Sequence, residues 1–274
     1  MSTVYVITGV SKGIGFELVK QLSQEPKNTV IGLVRDKTGT DKKVAAELGK
    51  RPNLHIVRGD LESYESLKEA AAETESILGN DKGVDYLVAN AAYMVDEEAY
   101  VGIDHFRDRP SDIDRLAHKS NQTNVVGNIH LFQLFLPLVQ KSSTKKVIAI
   151  STGMADLDLI NEIDITYGAM YSASKAALNI IVAKFAAQYK NEGVLFFSMS
   201  PGLVDTGKTD GIPPEAQEAL GKFAQGLLTY APDFRGPITP EQSVKHMKDV
   251  WTKASVQDGW SGKFVSHYGN KKWV

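Results

Sequence analysis

Tyr171 and Lys175 stand four positions apart in "MYSASKAAL" (170–178), at the head of an alanine-rich run. On a helix they would share one face, a turn apart. Such a pair is either solvated surface or a phenol whose acidity is set by an ammonium. A tyrosine keeps its proton at an ordinary pKa of about 10, and a neighbouring cation favours the phenolate. A second group of residues lies in "TGVSKGIG" (8–15), where Gly9, Gly13 and Gly15 surround Ser11, Lys12 and Ile14. Glycines there permit a tight turn and close approach of backbone to a ligand. A helix N-terminus directly after it would favour a pyrophosphate.

The elements that must carry these groups are visible as alternating patterns. Short apolar, β-rich runs cover Val4–Thr8, Thr29–Arg35, Leu54–Arg58, Val84–Ala89, Lys146–Ser151, Val194–Ser200 and Lys263–Ser266. Helical patterns lie between them: a stripe through Leu67, Ala70, Ala71, Thr74 and Leu78, a long stretch over Asp112–Gln140, and another over Tyr171–Asn191. "TPEQ" (239–242) predicts a helix start, with Thr239 as N-cap, Pro240 at the first turn and Gln242 closing a capping box. Strands apolar on both faces and alternating with helices predict an α/β fold with a parallel sheet covered on both sides. The runs end at Thr8-Gly9, Arg35, Asp60, Asn90, Ser151 and Ser200-Pro201-Gly202. In doubly wound sheets ligands bind beyond those carboxyl edges, so one lined crevice is expected there.

Composition narrows the function classes. The 274 residues carry 31 Lys+Arg against 33 Asp+Glu, a formal net charge of −2, so no nucleic-acid or anionic-membrane partner is expected. Cysteine is absent, which removes disulfides, thiol nucleophiles and zinc-thiolate sites. The 6 histidines show no H-x-x-x-H pairing, and no metal site is expected. "MST" runs directly into "VYVITG" without a charged segment and long apolar run, no stretch is long enough to span a bilayer, and "NKKWV" is no familiar sorting signal. A cytoplasmic location is the expectation.

T-G-x-x-x-G-x-G at 8–15, N-A-A at 90–92, Y-x-x-x-K at 171–175 and P-G-L-V-D-T at 201–206 together resemble the short-chain dehydrogenase/reductase family, of its classical type. The resemblance covers nearly the whole chain. It implies a Rossmann-type, doubly wound sheet of about seven strands with helices on both faces. It also implies a single dinucleotide-binding catalytic domain over 1–274, with a variable substrate lid at about 206–236 and a nicotinamide dinucleotide as cofactor.

In NAD-using members an acidic residue ends the second strand and grips the ribose 2′-hydroxyl. The matching position is Val34, followed by Arg35, while Lys12 sits just before Gly13. Both cations match basic positions of NADP-using members, and a 2′-phosphate needs cations, so NADP(H) is expected although Asp36 follows. By the same resemblance Asp60 and Leu61 lie beside the adenine, and Asn90 and Ala91 follow the fourth strand. Pro201, Gly202, Val204 and Thr206 belong to the loop near the nicotinamide.

Reducing a carbonyl requires a hydride to carbon and a proton to the developing alkoxide. The resemblance makes Tyr171 the general acid, and base in the reverse direction. Lys175 lowers the pKa of Tyr171 and holds the nicotinamide ribose. Asn124 lies on an apolar stripe with Gly127, Leu131, Leu134 and Leu138 and is expected to be buried; in the family it distorts its helix and completes a proton relay. The carbonyl-orienting hydroxyl falls by register on Thr152 in "AISTG", where the family usually has serine, with Ser151 as the other candidate. Two further departures are Ala92 in place of the usual glycine and a longer gap between Thr152 and Tyr171, which implies an insertion within 153–168.

Three segments are expected around the substrate: 93–109, the insertion 153–168, and the stretch after Thr206. Tyr93, Phe106, Met154, Tyr167, Phe223 and Tyr230 could line an apolar pocket or serve as loop core, and "DEE" (96–98) reads as a solvated loop. Family members commonly form a homodimer or homotetramer. The favoured function is NADPH-dependent reduction of a ketone or aldehyde. Its alternatives are an NADP-dependent alcohol dehydrogenase working toward oxidation and a non-catalytic NADPH-sensing protein.

Overall fold

The computed structural model describes residues 2–79, 81–207 and 216–274. Seven strands, β1 (Val4–Thr8), β2 (Thr29–Val34), β3 (Leu54–Arg58), β4 (Tyr86–Ala89), β5 (Lys146–Ile150), β6 (Leu195–Met199) and β7 (Phe264–Val265), pair in the order β3-β2-β1-β4-β5-β6-β7. Every pairing is parallel. The seven expected runs are all strands, trimmed at some ends: β4 begins at Tyr86 and β5 closes at Ile150.

The helices are α1 (Gly13–Leu22), α2 (Lys37–Leu48), α3 (Tyr64–Leu78), α4 (Asp96–Ala99), α5 (Pro110–Asn121), α6 (Gly127–Gln140), α7 (Leu157–Ile163), α8 (Ala169–Tyr189), α9 (Ala216–Tyr230) and α10 (Pro240–Lys253). Alternation along each strand divides the core between the two faces of the sheet. Val4, Val6, Val147 and Ala149 pack with Leu67 of α3, Phe132 and Phe135 of α6, and Leu178 and Val182 of α8. Ile7, Ile148 and Ile150 pack on the other face with Leu18 and Val19 of α1 and with Met247 and Trp251 of α10. Thr239 and Gln242 form the expected capping box, with Pro240 in the first turn.

The stretch expected as one helix over Asp112–Gln140 is interrupted. A π-helical turn at Gln122–Val126 separates α5 from α6 and contains Asn124. The inserted segment forms a 3-10 turn, Gly153–Ala155, and then α7. Leu159 and Ile163 of α7 pack with Leu227 of α9 and with Trp273. The expected lid falls partly outside the described residues, at 208–215, and beyond these lies α9. No described helix is long and apolar enough to cross a membrane.

Candidate active site

The strand order reverses between β1 and β4, and the two strand ends are tied together there. Thr8 Oγ1 accepts from the backbone N–H groups of Asn90 (3.0 Å) and Ala91 (2.9 Å), and Asn90 Nδ2 donates to the Thr8 carbonyl (2.9 Å). Gly9 turns the chain at φ 74°. A Cβ on Gly15 would fall 2.2 Å from the Gly9 oxygen and 2.6 Å from Asn90 Nδ2, so only glycine lets the first turn of α1 lie this close to the strand end.

A cavity of roughly 630 Å³ opens at this junction. Gly9, Ser11, Lys12, Ile14 and Gly15 line it from the turn, Arg35 from the end of β2, and Asp60 and Leu61 from the end of β3. Asn90 and Ala91 line it beyond β4, and Thr206 closes the far side. Gly13 backs the turn toward Thr206, whose Cγ2 would lie 3.6 Å from an added Cβ. Pro201, Gly202 and Val204 do not line the cavity but anchor the loop that carries Thr206. The Pro201 carbonyl accepts from Ser243 Oγ (2.7 Å), Gly202 N–H donates to Ser200 Oγ (3.4 Å), and Val204 bridges Ile238.

Asp36 also borders the cavity, but its carboxylate caps α2 by accepting from the Gly39 N–H (2.9 Å). Lys43, which the sequence reading did not single out, joins Lys12 and Arg35 at the wall; its Nζ donates to the Ser11 carbonyl (3.1 Å). Glu62 and Thr123 are also present there, joined by a 2.8 Å hydrogen bond, with Lys119 paired to Glu62. These pairings hold the Glu62 carboxyl below its usual range despite its burial. A glycine cradle at a switch point, with three cations along one wall, fits a dinucleotide's phosphates.

Tyr171 and Lys175 are one turn apart in α8, as the spacing predicts. Lys175 is 1% exposed, its Nζ donates to the Ile150 carbonyl (2.7 Å), and it lies 6.0 Å from the centroid of the Tyr171 ring. Burial lowers the Lys175 pKa to about 8. The expected depression of the phenol is overturned: burial, with the Glu98 carboxylate adding to it, pushes Tyr171 up to about 12. Burial disfavours the charged phenolate.

Asn124 is fully buried, as its stripe predicts. Its Oδ1 accepts from the Tyr93 N–H (2.7 Å), and its Nδ2 donates to the Tyr93 carbonyl and to Ser174 Oγ (2.9 Å each). Ser174 Oγ donates in turn to the Tyr171 carbonyl (2.7 Å), so the π-helical turn is fastened to the turn of α8 that bears the tyrosine. Both hydroxyls of "AISTG" follow β5. Ser151 is 2% exposed and its Oγ has no hydrogen-bond partner. Thr152 is half-buried, and its Oγ1 accepts from the Met154 N–H (3.2 Å), leaving its proton to donate.

The aromatic residues expected on the substrate side do not converge. Tyr93 lines the large cavity, while Met154 and Tyr167 line a second one of roughly 280 Å³ beside α8. Phe106 is buried core, Phe223 meets Tyr167 edge-on at 5.4 Å, and the Tyr230 hydroxyl donates to the Lys271 carbonyl (3.0 Å). The solvated loop expected at 96–98 is instead α4, and Glu98 within it is 1% exposed.

A doubly wound parallel sheet with a glycine cradle at its switch point defines the dinucleotide-binding class. Within it this chain belongs to the short chain dehydrogenase family, whose family model matches residues 3–217, and so to the oxidoreductases that use NAD(P)(H). It is 55% identical over 272 residues to the short-chain dehydrogenase/reductase iacC of Pestalotiopsis fici, with 99% of this chain and 100% of that one covered. It is 50% identical over 270 residues to the short chain dehydrogenase virK of Hypocrea virens, with 98% and 99% covered. Among solved structures, the NADPH-bound carbonyl reductase from chicken fatty liver shares the fold at a TM-score of 0.78, with 23% identity and 98% of each chain covered.

Proposed function

We propose that this enzyme reduces a ketone or aldehyde to an alcohol at the expense of NADPH, with Tyr171 as the proton donor. The observation that carries the reading is the pairing in α8. The phenol keeps its proton at neutral pH and so has one to give to the oxygen of a carbonyl under reduction, while its rise to about 12 makes support of the phenolate by a cation necessary. Lys175, buried and fixed to Ile150, offers its charge to the phenolate left behind. Thr152, the more accessible of the two hydroxyls, orients the carbonyl oxygen, and Asn124 holds the tyrosine-bearing turn through Ser174.

When bound, the dinucleotide supplies the hydride to the carbonyl carbon. The glycine turn with Ser11 and Ile14 would hold its pyrophosphate, and Asp60 with Leu61 its adenine. Asn90, Ala91 and Thr206 would border the nicotinamide side. Arg35, Lys12 and Lys43 favour a 2′-phosphate, and the Asp36 carboxylate at the same cavity is engaged as the N-cap of α2.

The test is a set of carbonyls (acetophenone, benzaldehyde and menadione) offered with NADPH or NADH and followed at the nicotinamide absorbance. Carbonyl-dependent oxidation that is faster with NADPH supports the reading. Activity confined to alcohol oxidation, or equal use of both cofactors, counts against it.

A further inference from the structure

α8 begins without a capping side chain of its own. Gly168 occupies the N-cap position in the left-handed region (φ 66°, ψ 37°) and makes no side-chain cap bond, although the first turn of this 21-residue helix has N–H groups that need an acceptor. The acceptor comes from another part of the chain. Glu98 Oε2 accepts from the N–H groups of Met170 (3.0 Å) and Tyr171 (3.3 Å), the second and third helical positions that an N-cap side chain ordinarily serves. The Glu98 carbonyl also accepts from the Gly168 N–H (3.0 Å), and a bridge between Gly102 and Tyr167 extends the junction.

This carboxylate is almost wholly buried, and its other oxygen, Oε1, has no hydrogen-bond partner. Packing alone would favour an uncharged residue at such a place, because an ionised group loses its hydration on burial. Burial, with Glu97 adding to it, holds the Glu98 carboxyl above its usual range, and the two N–H groups at the positive end of α8 offset only part of that loss. The same contact fastens the segment 93–109 to the tyrosine-bearing turn at Glu98, while Asn124 fastens it at Tyr93.

We propose that Glu98 is a positioning residue for Tyr171: its carboxylate stands in for the missing N-cap of α8 and fixes the tyrosine-bearing turn against the segment 93–109. The proposal rests on the reading of Tyr171 as proton donor. It has an electrostatic side as well, since the carboxylate opposes ionisation of the phenol. Its neighbour Glu97 in α4 also acts on the carboxylate and pairs with Arg115 of α5 at 2.7 Å, and Lys175 lies 6.0 Å from the centroid of the Tyr171 ring.

Three variants, Glu98→Ala, Glu98→Gln and Tyr171→Phe, separate the possibilities. They are assayed with NADPH and the fastest-reduced carbonyl of the set above, alongside NADPH affinity and amide hydrogen exchange over 168–173. Glu98→Ala is expected to lower kcat about 10- to 100-fold with NADPH affinity unchanged, the size of effect a small displacement of a reacting group produces. Exchange across 168–173 should quicken. Glu98→Gln keeps an acceptor and should restore most of kcat and of the protection. The proposal is overturned if Glu98→Ala keeps the parent's kcat and exchange, or if Glu98→Gln loses as much of both as Glu98→Ala does. Should Glu98→Ala fail to fold, Glu98→Asp, whose carboxylate falls one methylene short of α8, decides instead: it should lower kcat and quicken exchange, and parent-like values of both overturn the proposal. Parent-like turnover in Tyr171→Phe would instead overturn the reading of Tyr171, while exchange in the Glu98 variants would still report on the anchor.

Discussion

With its pKa raised to about 12, the Tyr171 phenol is protonated at neutral pH, and in its proposed role as proton donor it would leave a phenolate whose charge needs a partner. Lys175, with a pKa of about 8, keeps its ammonium charge below that pH and loses it above. Reduction should therefore weaken above about pH 8, for want of a cation beside the phenolate rather than for want of a proton. The two hydroxyls after β5 divide on accessibility. Ser151 is 2% exposed, whereas Thr152 is open enough to meet a substrate. Thr152→Val should lower kcat about a hundred- to a thousandfold, as loss of a donor to a developing oxyanion does, and Ser151→Ala should change it little. Steady-state rates of the two variants check this, and the reverse order would transfer the orienting role to Ser151.

At the scale of elements, the glycine turn stands or falls on one contact. A methyl group on Gly15 would meet the Gly9 carbonyl at 2.2 Å and the Asn90 amide at 2.6 Å, both fixed by the sheet. Gly15→Ala should therefore cost about 1–3 kcal/mol of stability by overpacking and weaken NADPH binding in step. Urea unfolding and cofactor fluorescence measure the two, and an unchanged midpoint would contradict the close approach. The strands were legible because burial on both faces leaves an unbroken apolar run that ends in a polar or glycine residue, as at Val4–Thr8 followed by Gly9. The break in the long helix was not legible from its own stripe. It accompanies an amide that reaches Tyr93, 31 residues away, and such a partner leaves no mark on local periodicity. Glu98 escaped for the same reason, because its partners lie 72 and 73 residues on. A glycine at the N-cap position of α8 was the available sign that an acceptor had to come from elsewhere.

Across the whole molecule, the cofactor side is far better specified by sequence than the substrate side. Backbone turns need glycine, and phosphates need cations, so those positions admit few residue types. An apolar lining admits many, and the aromatic residues proposed for it are divided between loop core, the large cavity and a second cavity beside α8. Global stability carries a further signature, in His267. It is buried with both ring nitrogens unpartnered and stacked on His246 at 5.4 Å, and burial, then His246, lowers its pKa from 6.5 to about 4. Above pH 6.5 the ring is neutral in both folded and unfolded chains. Between 6.5 and 4 the unfolded chain binds a proton that the folded one does not, so stability falls as pH falls. The slope from this residue reaches at most about 1.4 kcal/mol per pH unit. Denaturant midpoints measured across that window should fall more steeply in the parent than in His267→Phe, and parallel curves would contradict the assignment.

The central claim is that the hydroxyl of Tyr171 delivers the proton to the carbonyl oxygen. Replacing it by phenylalanine removes that hydroxyl and leaves the ring, the α8 turn and the cofactor wall in place. For Tyr171→Phe, NADPH titration should give an affinity close to the parent's, and kcat for carbonyl reduction should fall about a hundred- to ten-thousandfold. A variant that binds NADPH and still reduces the carbonyl at the parent's rate would contradict the account.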